Sequence, residues 1–334
     1  MRVADASVHR VSRKRRLRPL AWLALAALLA LAIALALGSV GIAPDELAAV
    51  LLGGGDALHQ TLVLELRLPR ALAAFGTGAL LALAGALMQI LLRNPLADPY
   101  VLGLSGGASV AALLAMLAGA SMALVSGAAF VGALVSILIV FGLAHGTGSW
   151  TPTRLLLTGV VMAAGWGALI SFLLAVSPVD QLPGMLYWLM GDLAYAGSPW
   201  PVLSVAVISL LVVTPLGRTL NVLARGGLQA AALGVAVRPL EWTLYLLASL
   251  LTAVAVTTAG SVGFVGLMVP HMLRLRLGND QRLILPASLL AGGTLLTLAD
   301  TLARTLIAPQ QLPVGVITAL LGVPSFLYLL SRSR

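Results

Sequence analysis

The chain has no cysteine and a single lysine, and only 9% of its 334 residues are charged. Without cysteine there are neither disulfides nor thiolate metal sites. The lysine, Lys14, stands in an arginine-rich segment with no glycine beside it. A phosphate-cradling P-loop needs a glycine-rich turn ending in Gly-Lys-Ser/Thr, so this chain cannot hydrolyse ATP in the P-loop manner. Its long apolar stretches contain no paired carboxylates, no His/Asp/Glu metal cluster and no nucleophile–base arrangement. The expectation is a chain that is not an enzyme and binds no cofactor of its own.

What is present is apolar. Hydrophobic residues make up 60% of the sequence, and the mean hydropathy is +1.04. Long apolar runs recur from Leu20 to Leu330, the pattern of an all-α integral membrane protein. A transmembrane barrel would show weak alternating segments instead. The net charge of +9 would suit nucleic acid, but the arginines fall between apolar runs rather than on one face. The expected partner is therefore the lipid bilayer, and no nucleic acid is expected.

Ten spans can be drawn, at about 20–38, 68–92, 100–118, 122–143, 154–176, 199–216, 240–259, 262–277, 283–306 and 313–330. Residues 1–19 read as a basic tail and 20–334 as one transmembrane domain. The basic run Ser12–Arg18 before an apolar stretch also fits a signal peptide. The stretch Leu20–Leu37 is longer than a usual signal core, which favours a retained first span. A short surface helix is expected between the fifth and sixth spans, and the eighth should kink at Pro270. With both termini cytoplasmic, 17 of the 20 Lys and Arg residues fall on the cytoplasmic side. Arg67, Arg70 and Arg304 are the exceptions and fall on the outer side. Local pairing would explain them: Asp300 precedes Arg304 by one helical turn, and Glu65 adjoins Arg67. The other reading is a basic outer rim that receives an acidic partner.

The stretch from Gly76 to Ala108 organises the chain. An apolar helix runs into Asn94-Pro95-Leu96-Ala97-Asp98-Pro99 and restarts as a second apolar helix. Neither proline can sit inside a continuous helix. Asp98 before Pro99 is an N-cap followed by a first-turn proline. Gly76, Gly78, Gly85, Gly103, Ser105, Gly106 and Gly107 would let helix backbones approach closely.

This stretch closely resembles the signature of the FecCD family, the permease subunits of bacterial ABC importers for ferric siderophores, haem and cobalamin. Arg67-Leu68-Pro69-Arg70, the block Gly260–Arg274 containing Pro270 and His271, and the block Leu312–Phe326 match the family in order and spacing. The resemblance implies the BtuC-like fold of type II ABC importers, with about ten transmembrane helices per subunit. Spans two and seven lie five crossings apart and run in opposite directions, the relation of the inverted repeats known in that family. It implies a homodimer in the bacterial inner membrane, two ATPase subunits that bind ATP and Mg, and a periplasmic or surface substrate-binding protein. Acidic residues of that protein would dock on Arg67, Arg70 and Arg304. The ATPase would couple through about 217–239, with Arg225, Leu228 and Ala232-Leu233-Gly234-Val235 in the contact; Gly226 and Gly227 should break that segment into two short helices offering Leu233, Val235 and Val237.

Other single residues read more blandly. Within this family His271 accompanies any substrate, so a ligand role is set aside. Met88, Met268 and Met272 read as packing, and Asp192 as an outer-interface residue. Ferric siderophore ranks first as cargo, cobalamin second and haem third. An ATP-independent secondary transporter is the rival, with Asp300 and His271 as its only plausible ion-coupling groups. A non-transporting scaffold is a weaker one.

Overall fold

The computed structural model describes residues 13–38, 40–145, 152–194 and 196–332. Among these, every regular element is helical. In chain order they are α1 (Arg13–Ala36), α2 (Pro44–Leu51), α3 (Ala57–Gln60), α4 (Leu68–Leu91), α5 (Leu104–Leu117), α6 (Met122–His145) and α7 (Pro152–Val176). There follow α8 (Leu182–Met190), α9 (Trp200–Leu223), α10 (Gly227–Ala232), α11 (Val237–Ala259), α12 (Val265–Leu277), α13 (Gln281–Thr305) and α14 (Val314–Arg332).

Among the described residues, seven helices are long and apolar enough to cross a membrane: α1, the continuous helix Ala57–Leu91, α6, α7, α9, α11 and α13. The other three stretches read as spans fall on α5 (14 residues), α12 (13 residues) and α14 (19 residues). Length and apolarity together thus support seven of the ten expected crossings among the described residues. The expected surface helix before the sixth span is α8. Most of the basic tail lies outside the described residues, but from Arg13 it is already helical and runs through Pro19 into α1. The polar turn expected after His145 lies outside them at 146–151.

Three boundaries differ from the sequence reading, each for a local reason. The second span starts at Ala57, not 68, because Thr61–Arg67 is a wider π-helical turn joining α3 to α4. Pro69 cannot bond back to the preceding turn, and a π-turn, rare in general, absorbs that mismatch here without ending the helix. The sixth span continues through Pro215 to Leu223. Asp98 caps a 3-10 turn, Pro99–Leu102, rather than α5 itself. Gly103 then adopts a left-handed conformation (φ 72°), and α5 begins one residue later. That backbone setting carries little cost only for glycine.

The core is built around α4, whose residues from Gly76 to Leu91 are buried without a break. A helix apolar on all faces belongs at the centre of a bundle. Helices α9, α11, α12 and α13 surround it. Lipid is as apolar as leucine, so contact between spans depends on tight van der Waals packing. Small residues supply it. Gly78 lies against the Gly292 carbonyl of α13, and Gly85 against the Gly266 carbonyl of α12. The second contact follows from Pro270: lacking an amide proton, it leaves the Gly266 carbonyl without its usual helical partner, and that oxygen faces Gly85. At the opposite extreme is α7, only 11% of whose apolar window is buried within the chain.

Candidate functional site

The three exceptional arginines meet at one cleft of about 430 Å3 at one end of the bundle, with Glu65, Leu193 and Gln311 also in its wall. They are not equivalent. Arg67 is 6% exposed and reaches back to the end of α1, donating to the Leu35 carbonyl (2.7 Å), the Ala36 carbonyl (3.1 Å) and the Val40 carbonyl. The last carbonyls of a helix have no intrahelical donor, and Arg67 satisfies them. Arg304, 8% exposed, donates to the Ala34 carbonyl at 3.2 Å. Two buried guanidiniums thus hold the end of the first span.

Arg70 is the least enclosed of the three. It clamps Asp300 through Nε (3.1 Å) and Nη2 (2.8 Å), and Nη1 donates to Gln311 Oε1 at 2.8 Å. Asp192 lies 3.9 Å from the same guanidinium. Asp300 is 1% exposed and also sits 3.1 Å from Arg304 Nε. The Asp300–Arg304 pairing read from helical spacing is therefore present, extended to Arg70 across 230 residues of sequence. The Glu65–Arg67 pairing is not: Glu65 is exposed, and Arg67 spends its donors on backbone carbonyls. The three arginines of the expected rim therefore share one cleft wall, Arg67 and Arg304 buried and Arg70 partly exposed. Burial pushes the Asp192 carboxyl above its usual range, an effect that the Ala194 amide and Arg70 oppose.

At the other end, the segment from Arg218 to Arg238 does not form two short helices. Its first part completes α9, and one six-residue helix, α10, follows the turn at Gly226. Leu228 is 91% exposed and Leu233 72%. Ala232 and Gly234 are exposed as well, and Arg225 projects beside them. Val235 and Val237 instead turn inward against the core. The apolar knob left outside is Leu228 with Leu233. Arg93 supports this segment from beneath. It ends α4 in a left-handed conformation (φ 48°), pairs with Glu241 of α11 at 3.2 Å, and lies against Gly227.

The proline turn ties these parts together. Asn94 Oδ1 accepts from the Leu96 amide at 2.9 Å, and Asp98 Oδ1 from the Tyr100 amide at 2.8 Å. Burial raises the Asp98 carboxyl to about 6 despite that amide. Pro95 lines a polar cleft at the α4 terminus, and Pro99 packs on Gly266 of α12, so two of the matching blocks touch directly. Gly106 lies under Trp166 of α7. Pro270 is buried and His271 half-buried.

Two polar residues escaped the sequence reading. Gln89, buried in α4, donates to the Leu267 carbonyl (3.1 Å) and accepts from Arg274. The Tyr100 hydroxyl accepts from the Val262 amide at 3.2 Å. Gln89 had a visible signal: it is the one side-chain amide in α4.

Comparison with known proteins gives this arrangement its relatives. The model of the FecCD transport family matches residues 25–332. The hemin transport system permease protein HmuU of Yersinia pestis is 42% identical over 320 residues, covering 92% of this chain and 95% of that protein. The vitamin B12 import system permease protein BtuC of Vibrio cholerae is 41% identical over 283 residues, covering 84% and 85%. The Fe(3+) dicitrate transport system permease protein FecD of Escherichia coli is 39% identical over 282 residues, covering 83% and 87%. Among solved structures, an inward-facing metal-chelate type ABC transporter superposes with a TM-score of 0.84 at 30% identity, covering 94% of this chain and 99% of that one. This chain belongs to the FecCD transport family.

Proposed function

We propose that this chain is the membrane-spanning permease subunit of a binding-protein-dependent ABC importer in the bacterial inner membrane, with both termini cytoplasmic. The observation that carries the reading is a division of labour. The fold is that of the family's permeases, yet the sequence has no P-loop and exposes an apolar knob at Leu228 and Leu233. A separate pair of ATPase subunits, binding ATP and Mg, would seat on that knob. Closure of the ATPase pair would push α10, and Arg93 would pass the push to α4 and α11. Discrete repacking of this kind is how small displacements become alternating access.

The exposed α7 supports a homodimer, because an apolar helix so little covered by its own chain has a face left for a second copy. The translocation path would lie on the two-fold axis. A substrate-binding protein would dock over the cleft containing Arg70. Arg67 and Arg304 would shape that cleft from within, and Arg70 would offer the charge an incoming carboxylate meets. Charge complementarity of this sort orients a partner more than it tightens it. The cargo would be a ferric siderophore, cobalamin or haem; relatives of this chain are named for hemin, vitamin B12 and Fe(3+) dicitrate.

The secondary-transporter reading would need an ionisable group free to gain and lose protons. Asp300 is held by two arginines, which disfavours that role. Co-purification tests the proposal: the chain should retain a P-loop ATPase at one-to-one stoichiometry. A monodisperse permease that transports without one would reject it.

A further inference from the structure

On the inner side, a cleft of about 570 Å3 opens between the end of α4, the turn from α9 to α10, and the α12–α13 connection. Three arginines from three of these elements line it: Arg93, Arg225 and Arg274. Arg93 is paired with Glu241. Arg274 commits two of its five N–H groups, to Gln89 and to the Ala86 carbonyl (3.3 Å). Neither Arg225 nor Arg274 has a carboxylate partner among the described residues. Asp280 is the one carboxylate among the described lining residues. Burial pushes it up, but bonds from Arg282 (3.0 Å) and Asn221 (2.9 Å) outweigh that and hold it below the usual range. Its charge is thus answered locally, and the cleft stays positive. The same lining contains Gln281, 2% exposed, whose amide nitrogen donates to the Asn279 carbonyl (3.3 Å) while its Oε1 is buried with no hydrogen-bond partner. A buried acceptor left unmade costs about 1–3 kcal/mol, so a donor is expected there.

The cleft thus calls for an anion that also carries a hydroxyl, and Ile90, Pro95 and Ala224 supply an apolar side to the lining. We propose that it binds the phosphodiester head group of an anionic phospholipid with free hydroxyls, the phosphate between Arg225 and Arg274 and a hydroxyl on Gln281 Oε1. Basic pockets between spans on the cytoplasmic side are suited to such head groups. The inference rests on the orientation given above, and not on the transport reading.

The test uses the full chain, delipidated in detergent and titrated with phosphatidylglycerol, phosphatidylcholine and phosphatidic acid under native mass spectrometry. Phosphatidylglycerol should be retained at least tenfold over phosphatidylcholine. Arg225→Gln, at an exposed side chain outside the packing, should remove most of that preference. Gln281→Leu should weaken phosphatidylglycerol but not phosphatidic acid, which lacks the glycerol hydroxyls. Equal retention of the two diesters by the wild type, or an unchanged preference in Arg225→Gln, would overturn the proposal. Displacement by an equal concentration of glycerol 3-phosphate would overturn the lipid source in favour of a soluble phosphate ester. A cross-link from Arg225 to an acidic side chain of the ATPase, with lipid lost on assembly, would assign the cleft to the partner instead.

Discussion

Substituting Gly85 by alanine tests the packing at the centre of the bundle. In the middle of a helix this change normally helps, because glycine costs about 1 kcal/mol relative to alanine. At Gly85 the added methyl would be driven into the Gly266 carbonyl, well inside contact distance, with the Gly266 Cα also against it. Both obstacles are backbone, so no rotamer change relieves the overlap. Helices α4 and α12 must separate, and overpacking of a dense core costs roughly 1–3 kcal/mol or more. Pro99 also packs on Gly266, so a shift of α12 disturbs the proline turn. Gly142 in α6 is the control, since nothing lies within 4 Å of a methyl there. Gly142→Ala should be neutral or stabilising by about 0.5–1 kcal/mol, and Gly85→Ala destabilising, a gap of about 2–3 kcal/mol. Thermal unfolding of the two variants in one detergent, followed by aggregation or intrinsic fluorescence, reads the difference. If Gly85→Ala melts at or above Gly142→Ala, the close approach of α4 and α12 is wrong.

Other perturbations separate structure from function. Arg67→Gln should lower the yield of folded protein by uncovering the α1 carbonyls, whereas Arg70→Gln should fold and instead weaken substrate-binding-protein docking severalfold in a pull-down. Leu233→Asp should leave the chain folded but reduce ATPase co-purification by at least tenfold, because an apolar knob becomes charged. For Asp98 the sign runs toward acid. Its carboxyl, raised to about 6 by burial, binds a proton more tightly folded than unfolded, so the wild type should lose stability as pH rises from about 4 through 6. Asp98→Asn keeps the acceptor for the Tyr100 amide and should show a flatter profile over that window in pH-dependent melts. Asp98→Ala should cost about 1 kcal/mol near pH 4 through the lost cap, a difference that shrinks as pH rises through 6 and the wild type loses stability.

The apolar runs made the helices legible, because lipid admits long continuous helices and little else. The turn at Asn94–Pro99 was legible too, since proline and a capping carboxylate act locally. What the sequence hid was long-range. Asp300 pairs with Arg70 from the far side of the chain, and Arg67 answers carbonyls of α1, not its neighbour Glu65. Backbone carbonyls leave no mark in sequence, so an arginine that caps a helix looks the same as one awaiting a partner. The π-turn before Pro69 was likewise invisible, because wider helical turns have no residue signature comparable to proline's.

The central claim is that this chain is moved by a nucleotide-hydrolysing partner and has no engine of its own. Uptake of a ferric siderophore, cobalamin or haem into proteoliposomes, with the cognate binding protein outside and ATP enclosed, measures it directly. The account predicts accumulation only when P-loop ATPase subunits are co-reconstituted, and its loss when their catalytic residue is inactivated. Accumulation by the permease alone, at the same rate with or without those subunits, would contradict it.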